Sequence, residues 1–153
     1  MNIKFVSDNT EKQRIATEIL HDLPEWFGIE ESTKEYIDNV IHYPFVTACI
    51  SGENIGFYSL REENCDTLDM YVLGIKQKFH HQGVGSKMQN FVNKYAENNG
   101  YKYLIVLTLA EKVQNKEYLQ TRAFYIKNGF TDLYQNDRIF DKYNPCQIMI
   151  KTI

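Results

Sequence analysis

Residues His80 to Lys87, read HHQGVGSK, bring two glycines, a hydroxyl and a positive charge together directly ahead of an apolar stripe. Met88, Phe91, Val92, Tyr95 and Ala96 follow at the i, i+3, i+4, i+7, i+8 spacing of a helix with one buried side. The glycine loop therefore empties into a helix N-terminus. There the backbone N–H groups of the first turn lack intrahelical partners and the positive end of the helix dipole is exposed, which suits an anion. Gly83 and Gly85 let the backbone approach a bulky anion with no Cβ in the way. Ser86 and Lys87 add a donor and a cation. The chemistry on offer is the cradling of a pyrophosphate; from the glycines alone, an ordinary strand-to-helix turn is the alternative.

Two familiar phosphate loops do not fit these letters. A P-loop requires Gly-Lys-Ser/Thr, whereas Gly85 is followed by Ser86 and then Lys87. A dinucleotide fingerprint requires a third small residue after Gly-x-Gly-x-x, where this chain has Met88. The remaining pattern, His80-His81-Gln82-Gly83-Val84-Gly85 after a strand ending in Leu73-Gly74-Ile75, resembles motif A of the GNAT superfamily of acyl-CoA N-acetyltransferases, Gln/Arg-x-x-Gly-x-Gly/Ala. His80 stands where Gln or Arg is usual. A second stretch, TRAFYIKNGF over 121–130, resembles the family's later helix and strand start, with Tyr125, Lys127, Gly129 and Phe130 in register. The Asn that often opens that helix is replaced here by Tyr118.

The resemblance implies an acetyl-CoA cosubstrate and no metal. Its pyrophosphate would rest on the loop formed by His80, His81, Gln82, Gly83, Val84, Gly85 and Ser86, and its pantetheine arm would pair with main chain at Leu73, Gly74 and Ile75. It also implies that Tyr125 is the general acid for the departing thiolate; a phenol, ordinarily with a pKa of about 10, is a competent donor to such a group. Asp69 stands where some members, notably the histone-acetyltransferase branch, carry a Glu base, and its shorter reach favours a water relay. Trp26, Phe27 and Tyr71 are the expected acceptor wall, with Asp22, Glu25, Glu30 and Glu31 favouring a cationic acceptor.

The elements that must hold these residues follow from pattern. A strand is expected over 2–6, then a helix opened by the capping box Thr10-x-x-Gln13 with Ile15, Ala16, Ile19 and Leu20 inward. A second box, Ser32-x-x-Glu35, opens a helix burying Tyr36, Ile37, Val40 and Ile41, which ends at Tyr43-Pro44. Strands over 45–50 and 55–60 flank the turn 51–54, and another covers 67–75. The glycine-loop helix stops near Asn98-Asn99-Gly100. A buried strand over 103–109 precedes a helix from Asn115 to about Lys127, with Gly129 as its left-handed terminator. Strands over 130–134 and 146–153 close the order, with an irregular excursion over 135–145.

This order is mixed α/β, and the crossover from Thr67 through Leu109 predicts a parallel pair in a largely antiparallel sheet. The resemblance supplies the rest of the fold: a GNAT-like acyl-CoA N-acyltransferase fold whose central parallel strands splay apart, flanked by helices. Gly74 within its strand marks a bulge or a close backbone approach, or is a packing glycine.

The chain of 153 residues, 43% hydrophobic and 24% charged, reads as one globular domain over 1–153. No apolar run spans a bilayer and no signal peptide is evident, which points to the cytoplasm and to no membrane partner. A net charge of −3 argues against nucleic acid. Cys49, Cys65 and Cys146 suit reduced thiols rather than a disulfide framework or a zinc site. His80 and His81 lack a third ligand at metal spacing and read as loop decoration. Cys146 has no base assigned to it, so direct attack in a ternary complex is preferred to an acetyl-cysteine route. The expected function is transfer of an acetyl group to a primary amine of a small molecule or peptide. A non-catalytic CoA-binding or regulatory module of the same fold is the rival, and a nucleotide-binding protein using the same loop is a weaker one. The acceptor's identity and the choice between monomer and homodimer stay open.

Overall fold

The computed structural model describes residues 1–141 and 143–153. In chain order the elements are β1 (Asn2–Phe5), α1 (Asn9–His21), α2 (Glu30–Asn39), β2 (Phe45–Ile50), β3 (Glu53–Asn64), β4 (Thr67–Ile75), α3 (Val84–Asn98), β5 (Tyr103–Leu109), α4 (Lys116–Lys127), β6 (Thr131–Asp141) and β7 (Asn144–Thr152). Short 3-10 turns follow α2, β4 and β5. The seven strands lie in one sheet in the order β1-β2-β3-β4-β5-β7-β6. β4 and β5 run parallel, whereas β1–β2, β2–β3, β5–β7 and β6–β7 pair antiparallel. This is the mixed sheet with one central parallel pair that the element order predicts. Two compact units divide the chain: Met1–Arg61 with Tyr71–Val92, and Glu62–Met70 with Asn93–Ile153.

In the first unit, α1 buries Ile15, Ala16, Ile19 and Leu20 in a core with Leu23, Val40, Phe45, Phe57 and Val72. The rings of Phe45 and Phe57 stack at 5.0 Å. Gly74 lets α1 settle on β4: a Cβ there would lie 3.0 Å from Ile19 Cγ2 and 3.1 Å from Leu23 Cδ1. The close approach at this glycine is thus to a helix. The β2–β3 connection is tighter than the expected turn over 51–54. Ser51 and Gly52, at φ 50° and 84°, join Ile50 directly to its partner Glu53, the backbone twist a two-residue hairpin turn needs.

Both helix starts differ from the capping-box reading. α1 begins at Asn9, and its cap is Asp8, whose carboxylate accepts from the Glu11 N–H at 2.7 Å. α2 begins at Glu30, two residues before Ser32, with Ile29 at the cap and no side-chain bond to it; the Thr33 hydroxyl donates to the carbonyls of Phe27 and Ile29 at 3.0 and 3.1 Å. Asp8→Ala removes the cap and should cost about 1 kcal/mol, a fall of about 2–4 °C in Tm for a chain of this size. Thr10→Ala should leave Tm within a degree or so by the same rule. Thermal unfolding of the two variants checks the assignment.

In the second unit, β5 lies between β4 and β7. The parallel ladder runs from Thr67–Tyr103 to Asp69–Ile105. α4 opens with the Asn115 side chain accepting from Tyr118 N–H at 3.0 Å. It closes in a Schellman arrangement, with Gly129 at φ 91°, its N–H on the Ile126 carbonyl and Phe130 N–H on Tyr125 O. Gly129 is the terminator read from the sequence. Arg122, buried on α4, grips Asp132 of β6 through two bonds at 3.0 and 3.1 Å.

The stretch 135–145 is a second correction. β6 runs to Asp141 and pairs with β7 up to Asp141–Asn144, so most of the expected excursion is hairpin. Its irregular part is short: between Asn136–Cys146 and Asp141–Asn144, the residues Asp137 to Phe140 face only Pro145. Proline has no N–H to give a ladder.

Candidate functional site

The glycine loop is built on the end of β4. His80 Nε2 and the Ile75 carbonyl lie 2.6 Å apart, and the Trp26 ring meets His80 edge-on at 5.5 Å. Asp22 accepts from Gln77 N–H at 2.8 Å, and the Gln82 amide donates to Lys78 O at 2.7 Å. His81 sits at φ 60° and is exposed. Gly83 follows at φ 78°, and a Cβ built on it would meet nothing within 4 Å. The first intrahelical bond of α3 runs from Lys87 N–H to Gly83 O at 3.1 Å. The N–H groups of Val84, Gly85 and Ser86 therefore precede the helical ladder, the arrangement that receives a phosphate. An open cradle behind a positive-φ glycine fits a diphosphate. His80 has a structural task in this loop, since it ties the turn back to β4.

Lys76, at the head of the loop, is buried between Glu18 and Glu53, at 2.8 Å from the latter, while Lys78 bonds Glu53 at 2.9 Å. Burial opposes the Lys76 charge, but the hydrogen bonds it donates to Glu18 and Glu53 outweigh that and hold its pKa above the ordinary value. These lysines anchor the loop. Ser86 and the exposed Lys87 lie in the first turn of α3.

The expected acceptor wall divides into two contacts in the same unit. Trp26 lies against His80, and Phe27 meets Tyr36 edge-on at 6.0 Å. Tyr71 takes part in a cluster that sequence reasoning missed. Tyr36 and Tyr43 meet its ring at 5.4 and 5.1 Å, Asn39 donates to its hydroxyl at 3.0 Å, and Arg61 Cζ lies 4.8 Å from its centroid. Burial pushes the Tyr71 phenol above its ordinary pKa. Of the acidic residues near Trp26, Asp22 is engaged with the loop, while Glu30 lies 3.7 Å from His21.

In the second unit, Asp69 is 2% exposed at the last rung of the parallel ladder. Cys146 is fully buried nearby on β7, and burial raises its thiol to about 11, the Asp69 charge adding to the shift. A thiol held protonated at neutral pH is a poor nucleophile. Tyr125 is 4% exposed on α4, its ring edge-on to Phe124 at 5.5 Å and Phe130 at 5.7 Å. The Asn115 side chain is engaged as the cap of α4.

A cavity of about 810 Å³ opens elsewhere in the first unit, beside β1 and the first turn of α1, and none of the expected site residues lines it. Among the described residues no group of three His, Cys, Asp or Glu side chains is placed to hold a metal ion, and no helix is long and apolar enough to cross a membrane.

Three comparisons bear on this architecture. No curated protein sequence matches the chain significantly. Solved structures do. A GNAT family acetyltransferase from Elizabethkingia anophelis with acetyl-CoA bound is 19% identical at a TM-score of 0.75, covering 99% of this chain and 97% of that one. An aminoglycoside 6'-N-acetyltransferase complexed with coenzyme A is 16% identical at 0.78, over 99% and 97%. An IAA acetyltransferase from Bacillus cereus is 18% identical at 0.74, over 99% of both chains. At such identities the likeness is one of fold. The family itself comes from sequence: the model of the acetyltransferase (GNAT) domain matches residues 41–132, from within the 3-10 turn after α2 into β6. The match covers more than half of the chain, which belongs to the GNAT acetyltransferase family.

Proposed function

We propose that the chain transfers an acetyl group from acetyl-CoA to a primary amine by direct attack. The single observation that supports this most is the cradle ahead of α3, where Gly83 at φ 78° leaves open space beside N–H groups that precede the helical ladder. Acetyl-CoA is held there by Gln82 to Ser86, and its pantetheine arm pairs with main chain at Leu73 to Ile75. The amine nitrogen attacks the thioester carbonyl carbon, the C–S bond breaks, and the products are an amide and free CoA thiol. Two protons must move: one leaves the amine for Asp69, directly or through water, and one goes from Tyr125 to the departing sulfur. The raised pKa of Cys146 favours this route over an acetyl-cysteine intermediate. The acceptor is a small molecule or a peptide amine, with Tyr71, Trp26 and Phe27 as its apolar wall.

Release of CoA thiol on adding a panel of amines, with titration calorimetry of acetyl-CoA, CoA and ATP, tests the reading. Acetyl-CoA binding with thiol release dependent on an amine is the expected result. Tight binding with no release for any amine would turn the protein into a CoA-binding regulatory module. Asp69→Asn, nearly isosteric, should lower turnover by about 10²-fold with acetyl-CoA affinity retained. An unchanged pH–rate profile in that variant would remove the base assignment.

A further inference from the structure

Between the end of β4 and the cradle the chain closes a small ring on itself. The half-buried His80 side chain reaches back to the Ile75 carbonyl, with Nε2 and the oxygen 2.6 Å apart. A carbonyl oxygen only accepts, so Nε2 carries the proton of this bond. Inside the ring, Phe79 N–H donates to Lys76 O at 2.9 Å and His80 N–H to Gln77 O at 3.1 Å. The connection between α1 and α2 braces it from outside: Asp22 accepts from Gln77 N–H at 2.8 Å, and Trp26 meets the imidazole edge-on at 5.5 Å.

The residue after this ring stands in a conformation that it would not hold alone. His81 has φ 60°, and Gly83 follows at φ 78°. Glycine takes that region freely, whereas a residue with a Cβ keeps it only where its surroundings over-determine it. The Gln82 amide, on Lys78 O at 2.7 Å, holds the far side of the turn, and His80 holds the near side. Without one of these holds the turn spends part of its time elsewhere. A ligand that needs the cradle then binds in proportion to the fraction still competent.

We propose that His80 is a positioning residue for acetyl-CoA: its Nε2–H bond to the Ile75 carbonyl keeps the left-handed turn at His81 set, so that the N–H groups from Gln82 to Ser86 are aimed before the cofactor arrives. His80 acts through that carbonyl rather than by contact with the phosphates. The role asks for an N–H donor at position 80, not for a charge and not for an aromatic ring. It rests on the cofactor half of the reading above and is independent of the acceptor. The contact with Trp26 is packing, so the donor and the ring of one side chain can be separated by substitution.

The test crosses donor against ring. His80→Gln keeps an N–H donor and loses the ring, His80→Phe keeps a ring and loses the donor, and His80→Ala lacks both. Calorimetric titration with acetyl-CoA should give a Kd raised about fivefold in His80→Phe and His80→Ala, the loss of one hydrogen bond, and held within about twofold of the parent in His80→Gln. Emission of Trp26, the chain's only tryptophan, reads the ring contact separately. It should move in His80→Gln and His80→Ala and stay near the parent's in His80→Phe. Thermal unfolding shows that each variant is folded, and a role in stability alone would leave the Kd values of the folded variants equal. A His80→Phe variant that binds like the parent overturns the proposal, as does a His80→Gln variant that binds as weakly as His80→Ala, or affinity that follows the emission instead of the donor. A parent that does not bind acetyl-CoA removes the cofactor reading and this proposal with it. Binding without transfer to any amine removes only the transfer step, and the Kd comparison still decides the role of His80.

Discussion

Tyr125→Phe should lower acetyl transfer by about 10²-fold or more while acetyl-CoA binds as before. The substitution is clean because of how the ring is held. Phe124 and Phe130 meet it edge-on, and its backbone carbonyl accepts the Phe130 N–H that closes α4, so the ring and the helix end survive loss of one oxygen. Circular dichroism and Tm of the variant should match the parent. Single-turnover release of thiol, measured beside equilibrium acetyl-CoA binding, separates a lost proton donor from a lost binding contact. Full activity in the Phe variant would leave water as the proton source.

The second large effect concerns the cradle. Gly83→Pro should abolish measurable acetyl-CoA binding, and Gly83→Val should weaken it severely. Space is not the reason, since a Cβ at this position meets nothing within 4 Å. The backbone is: φ is 78°, proline is fixed near −65°, and a β-branched residue in the left-handed region costs about 1–3 kcal/mol. The loop relieves that strain by turning its N–H groups away from the anion. Gly83→Ala should fall between parent and Val. Calorimetric titration with acetyl-CoA, alongside thermal unfolding to show that the fold persists, makes the comparison. A Pro variant that bound like the parent would remove the pyrophosphate from this loop.

Much of this architecture was legible in the letters because its signals are local. The stripe from Met88 to Ala96 fixes α3 almost to the residue, and Gly129 marks the end of α4 through a backbone need that no other residue meets as readily. Caps were misread where two local signals compete. Thr10-x-x-Gln13 matches the capping pattern, but Asp8 is the residue whose carboxylate reaches an orphan N–H. The run 135–145 looked irregular because its few apolar residues, Ile139, Phe140 and Tyr143, do not alternate with polar ones. The partner strand β7, distant in pattern though near in sequence, supplies the order that composition withholds. The Arg61–Tyr71–Asn39 contacts and the Lys76 ion pairs leave no one-dimensional trace, because each joins elements whose spacing along the chain carries no period.

The break in the β6–β7 ladder bears on how the molecule behaves in a crowd. β6 is one of the two edge strands and carries exposed Leu133, Tyr134, Ile139 and Phe140, the kind of margin on which a second chain could stack a strand. Opposite Pro145 the residues Asp137 to Phe140 leave the ladder, so the run of regularly spaced donors and acceptors is cut before it is long enough to template another chain. Asp132, Asp137, Arg138 and Asp141 add charge along the same margin. The protein can thus keep an apolar rim without inviting fibrous self-addition, and deleting the four residues from 137 to 140 would straighten that rim into an open template.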